Sequence, residues 1–148
     1  MIGALRTARR WGSKALAVSV EGKNMTEPTV RLAKSGLSLN IEDPVELALG
    51  SLVSCEFHMA QFAAKKLNVT LDDIQFQNVK GALNTAFFEG DKTALPQVTE
   101  VSMDVLVKTG VDKQKFDELI RMIEQGCPLY YLFKSSGTKM NVNWKQVT

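Results

Sequence analysis

The stretch from Asp43 to Leu67 constrains the fold more than any other part of this 148-residue chain. It opens Asp43-Pro44-Val45-Glu46. Asp is a good N-cap, Pro suits the first helical position, and a Glu three residues after the cap gives a capping-box spacing. Beyond it, Leu47, Leu49, Leu52, Val53, Phe57, Met59 and Phe62, with Ala48, Ala60, Ala63 and Ala64, leave little polar face. The pattern predicts a helix to about Leu67, ended at Asn68, roughly 36 Å long at 1.5 Å per residue. A helix apolar on most sides has to be enclosed by other structure, so it is expected at the centre of the fold.

Around this helix the chain reads as strands and two shorter helices. Ala15 to Val20 is a predicted strand followed by a turn at Glu21-Gly22-Lys23-Asn24. Thr29 to Ala33 and Leu37 to Ile41 form a predicted hairpin around Lys34-Ser35-Gly36. Ile74 to Leu83 reads as a strand, Asn84 to Leu95 as a looser hairpin, and Val101, Met103, Val105 and Val107 alternate as a half-buried strand does. Asp112 caps a second helix carrying Phe116, Leu119, Ile120 and Ile123 on one stripe, and Gly126 stops it. Pro128 restarts a short helix ending at Gly137, and Met140, Val142 and Trp144 alternate as a last strand. The order is strands, helix, strands, helix pair, strand, which is α+β rather than a βαβ repeat.

The length predicts one domain, over residues 15–148. Residues 1–14 are a basic lead-in, with Arg6, Arg9, Arg10 and Lys14 and no acid before Glu21. This lead-in reads either as a solvated approach to the first strand or as a transit peptide, so the expected location is the cytoplasm or, with a transit peptide, an organelle matrix. A net charge of +2 creates no general field for nucleic acid or anionic membrane. No apolar run is long enough to span a bilayer. Two cysteines are too few for a secreted disulfide scaffold.

Those two cysteines carry the chemical signal. Cys55 lies within the long helix, in Ser51-Leu52-Val53-Ser54-Cys55-Glu56-Phe57-His58, and Ser51 and His58 share its face. Cys127 precedes Pro128 where a helix begins, and unpaired N–H groups at a helix start favour thiolate. They are 72 residues apart, so only the fold can bring them together. A buried thiol is otherwise an inert core residue. Glu46 lies nine residues before Cys55, roughly 13 Å along a straight helix, and cannot touch it from there. A charge that activates Cys55 must come from another segment or another subunit, and Arg31 is the first candidate. Cys55, His58 and Cys127 also make a weak metal-site pattern with an open position. No phosphate loop, nucleotide fingerprint or Gly-x-Ser-x-Gly elbow is present, so no cofactor is implied.

Asp43-Pro44-Val45-Glu46-Leu47 with Gly50 and Ser54-Cys55, then Leu71-Asp72-Asp73-Ile74, then Cys127-Pro128, resembles the OsmC/Ohr family of osmotically inducible and organic-hydroperoxide-resistance proteins. The likeness covers about residues 37–148. It implies an intertwined homodimer in which two mostly antiparallel sheets wrap long central helices. It also implies thiol-dependent reduction of organic hydroperoxides, with Cys55 matching the peroxidatic and Cys127 the resolving cysteine, and a lipoylated protein's dithiol as reductant. The family's peroxidase branches carry a glutamate ten residues before the reactive cysteine and an arginine in an early strand or turn. Here the first position is Val45 with Glu46 beside it, and Lys23 and Arg31 are candidates for the second. The alternative reading is a non-enzymatic binding protein of the same fold, with the cysteines as core and cap.

Overall fold

The computed structural model describes residues 18–23, 27–40 and 42–147. The described residues fall into two units, divided after Asp43. The first holds three antiparallel strands in the order β1-β2-β3: β1 (Val18–Lys23), β2 (Glu27–Leu32) and β3 (Ser38–Asn40). Glu21, Gly22 and Lys23, expected in a turn, continue β1 and pair with Thr29, Pro28 and Glu27. Ala15 to Ala17, Asn24 and Ile41 lie outside the described residues. The β2–β3 turn is where the sequence puts it. Gly36 has φ +69°, a left-handed conformation that only glycine adopts cheaply.

The second unit begins with α1 (Pro44–Leu67), which runs the full predicted length. Asn68 follows with φ +51°, the left-handed residue that commonly closes a helix. Strands β4 (Asp73–Leu83) and β5 (Val98–Lys108) pair antiparallel, with a bulge near Asn78, whose φ is +53°. The expected hairpin between them is an irregular loop of turns with no strand of its own. Helices α2 (Lys113–Gly126) and α3 (Pro128–Ser135) then lead to β6 (Lys139–Val147). β6 pairs parallel to β5 from Glu100↔Lys139 to Lys108↔Val147. A parallel neighbour needs a long crossover, and the helix pair supplies it. The result is α+β with two three-stranded sheets, one antiparallel and one mixed.

The core lies between the second sheet and the helices. Val101, Met103, Val105 and Val107 present alternate residues of β5 inward, all buried. Phe116, Leu119 and Ile123 do the same from α2, and Leu52, Ala60 and Ala63 from α1. α1 packs against α2, α3 and β4. The small alanines let α2 approach closely. At Gly126 an added Cβ would collide with the terminal methyl of Met59.

α1 buries one stripe, while Leu47, Phe57 and Phe62 stay 38%, 37% and 50% exposed. Among the described residues of its own unit, α2, α3 and β4 pack against it, and these three apolar residues lie off the buried stripe.

Two substitutions check this packing. Leu119→Ala, at a site with no exposure, should lower stability by about 2–5 kcal/mol. Asp112→Ala removes the bond from Lys115 N to Asp112 Oδ1 (2.9 Å) that caps α2 and should cost about 1 kcal/mol. Urea denaturation at fixed protein concentration reads both.

Candidate active site

Pro128 decides where Cys127 points. The residue before a proline is excluded from the helical region, and Cys127 accordingly has φ −80° and ψ 112°. That break ends α2, whose last bond is Cys127 N to Ile123 O at 3.0 Å, and starts α3 with Pro128 in its first turn. Cys127 is thus the single joint between two helices. Its sulfur turns back as the N-cap of α3 and accepts the Tyr130 N–H at 3.3 Å.

α1 brings the other sulfur to it. Cys127 Sγ donates to Cys55 Sγ across 3.0 Å. Both are free thiols, Cys127 with 1% exposure and Cys55 half-buried. Formation of a disulfide at about 2.05 Å would need only a small closing movement. Cys55 opens on a shallow pocket walled by Leu47, Gly50, Ser51, Ser54 and His58, so the predicted Ser51 and His58 do share its face.

The expectation of a thiolate at Cys127 is overturned. Its thiol is pushed up to about 12, first by burial and then by donation to Cys55. The N–H groups of Tyr130 and Leu129 pull the other way and lose. Desolvation outweighs the helix end, so of the two sulfurs Cys127 is the one held as a proton donor.

Glu46 stands in the exposed first turn of an unbroken α1 and does not line the pocket. Arg31 is exposed on β2 of the first unit, opposite Ser19 and Ser38. No lysine or arginine lines the pocket at Cys55 among the described residues. His58 lines the same pocket as Cys55. Its Nδ1 is bonded to Ser54 O at 2.7 Å on the exposed side, and no three potential ligands gather among the described residues.

The sequence reading passed over an acidic cluster behind the sulfurs. Glu56 has no exposure, and among the described residues neither carboxyl oxygen has a hydrogen-bond partner. Burial, then the charge of Glu124, pushes it up to about 8. Glu124 on α2 accepts from Trp144 Nε1 at 2.9 Å and holds the Tyr130 hydroxyl. Tyr130 is itself pushed up to about 12 by burial, then by the charges of Glu124 and Glu56. The signal for Glu56 was present: Leu52, Glu56, Ala60 and Ala63 recur at helical spacing on the one stripe that α1 buries.

A family model for OsmC-like proteins matches residues 40–143. The chain belongs to the OsmC-like family. Solved structures agree on the fold of this OsmC-like chain. An OsmC-like protein from Mycoplasma pneumoniae superposes with TM-score 0.78 at 18% identity, covering 93% of this chain and 100% of that one. An organic hydroperoxide resistance protein OsmC from Legionella pneumophila gives 0.65 at 13% identity, over 93% and 100% of the two chains. The organic hydroperoxide resistance protein OhrB of Bacillus subtilis gives 0.58 at 16%, over 89% and 98%. No curated protein matches the sequence. No helix among the described residues is long and apolar enough to cross a membrane.

Glu56 makes the stability of this OsmC-like domain depend on pH. Its carboxyl group holds a proton more tightly when folded, at about 8 against an ordinary 4.5. Its contribution is therefore full below pH 4.5 and is lost as pH rises through about 8. At about 1.4 kcal/mol per pH unit, the loss is on the order of 4–5 kcal/mol. Glu56→Gln should flatten this dependence, with the variant gaining on the wild type above pH 7 and not at pH 5, in thermal melts across that range.

Proposed function

We propose that the protein is a thiol-dependent peroxidase that reduces organic hydroperoxides through Cys55 and Cys127, in defence against oxidative stress. The observation that carries this reading is the 3.0 Å contact between two sulfurs 72 residues apart. A core cysteine and a cap cysteine need no such meeting. The more accessible sulfur faces an open pocket, and the buried one waits behind it.

The chemistry follows from which sulfur a peroxide can reach. Cys127 is buried and Cys55 opens on the pocket, so Cys55 attacks. Its thiolate takes the terminal oxygen of ROOH, the O–O bond breaks, and the alkoxide leaves as ROH with one proton from solvent. Cys55 becomes a sulfenic acid. Cys127 then attacks that sulfur, and its thiol proton leaves with the sulfenic oxygen as water. A dithiol, such as the lipoyl group of a lipoylated protein, restores both thiols and is oxidised to its own disulfide. Leu47 on the pocket wall favours an alkyl peroxide over hydrogen peroxide.

A homodimer completes the proposal. The outward apolar side of α1, with Leu47, Phe57 and Phe62, suits a second copy's long helix. Arg31, from either subunit, is the cation proposed to stabilise the Cys55 thiolate, with Glu46 to orient it. A second reading, ligand binding without turnover, is favoured by one observation. An open groove of about 540 Å³, lined in part by Ile120, Tyr130, Tyr131 and Lys134, lies away from Cys55 and is within the usual size of ligand sites.

Cys55→Ser should abolish turnover of cumene hydroperoxide with a dithiol reductant. Cys127→Ser should undergo one oxidation per chain, at near wild-type rate, without forming the disulfide. Intact mass after one equivalent of peroxide should show loss of two hydrogens in the wild type. Steady-state turnover by Cys55→Ser would refute the proposal and favour the binding reading. Light scattering should give twice the chain mass, and Phe57→Asp together with Phe62→Asp should shift it to a monomer.

A further inference from the structure

Two carboxyl groups lie close together behind the sulfurs in opposite environments. Glu124 accepts the Trp144 indole N–H at 2.9 Å and interacts with the Tyr130 hydroxyl. Glu56 is fully buried beside Glu124, and among the described residues neither of its oxygens has a hydrogen-bond partner. Burial without a donor, next to a second acid, favours the protonated form of Glu56. The charged and titratable groups acting on Glu56 are Glu124 from α2 and, reciprocally, Tyr130 from α3. β4, the third element packed on α1, adds none to those that shift it, and on α1 itself His58 lies on the exposed side. Among the described residues no cation is one of the groups that shift Glu56; on α3, Lys134 Nζ stands 5.8 Å over the Tyr130 ring.

The cluster is built on the same segments as the thiols. Glu56 adjoins Cys55 on α1. Glu124 lies three residues before Cys127, and Tyr130 three after it, with its N–H bonded to the Cys127 sulfur. The gap between the sulfurs is therefore set by how α1 sits on α2 and α3, and Glu56 lies in that seam. We propose that Glu56 is a positioning residue for the cysteine pair, a neutral acid whose protonated state keeps α1 seated with the two sulfurs in contact and whose ionisation unseats them. A bare carboxylate in the seam, facing Glu124 without a donor, is relieved only if water enters and the helices part. A disulfide ties the seated arrangement, whereas the dithiol form is free to leave it. Ionisation of Glu56 therefore opposes disulfide formation. This inference rests on the proposed pairing of Cys55 with Cys127, and does not require peroxide as the oxidant.

The test is equilibration of the full-length protein with reduced and oxidised glutathione from pH 6 to pH 9.5. The protein dithiol and glutathione disulfide exchange to the protein disulfide and two glutathione thiols, and quenched samples are counted by mass. The ratio of the equilibrium constants of Glu56→Gln and wild type cancels the ionisation of glutathione. It should be near one at pH 6 and rise above pH 8, approaching about tenfold by pH 9 for a fully linked group. A purely structural role for Glu56 gives a ratio independent of pH, which would overturn the proposal. Glu124→Gln removes the repelling charge and should move the onset of the wild-type decline to lower pH. An onset unmoved, or moved upward, would also overturn it, and this variant carries the test alone should Glu56→Gln fail to fold. Absence of a Cys55–Cys127 disulfide in every protein at every pH would sink both the pairing and this inference. Absence of peroxide turnover alone would refute only the peroxidase activity.

Discussion

The seating of α1 on the α2–α3 joint is the constraint on which the rest of the site depends. Small residues make it close: Ala60, Ala63 and Ala64 on one helix, Gly126 on the other, with Met59 filling the space where a Cβ would go. Interiors this densely packed do not deform gradually. A fixed helix contact therefore fixes the sulfur separation, and the break enforced by Pro128 turns Cys127 toward α1 rather than along α2. A metal cluster or a flexible loop could also bring two distant sulfurs together. Here rigid helices do it, and that leaves the pair open to control by anything that shifts the seam.

Electrostatics in the seam are decided by burial more than by local dipoles. Cys127 has the helix start and two N–H groups on its side, yet remains a thiol because water is excluded from it. Glu56 is fully buried, and among the described residues neither of its oxygens has a hydrogen-bond partner. Glu124, one helix away, is half-buried and accepts the Trp144 indole N–H. Burial thus raises both a thiol and a carboxyl group in the same seam.

Much of this was legible in the residues, and the failures have physical causes. The caps and stops of α1, α2 and α3 are local chemistry, and the structure places them at or within a residue of where Asp43, Asn68, Asp112 and Pro128 put them. The alternation in β5 is equally local. The apolarity of α1 says that its surface needs covering without saying whose chain covers it. The ionisation of Cys127 was misread because a helix start is visible in sequence, whereas the depth at which it is buried is not. Glu56 was read only as a sequence neighbour of Cys55, although its spacing on the Leu52–Ala60 stripe places it inside. Its meaning comes from Glu124, Tyr130 and Trp144, which only tertiary packing gathers.

β6 has a consequence for how the chain acquires its chemistry. It pairs with β5 along nine residues that lie 39 positions earlier, from Glu100↔Lys139 to Lys108↔Val147, and it carries the Trp144 indole that binds Glu124. Such distant pairing forms late, because loop closure precedes any reward from contact. During synthesis the thiols therefore exist first as ordinary, separate groups on a growing polypeptide. They become a matched pair only as the crossover closes and the final strand zips in.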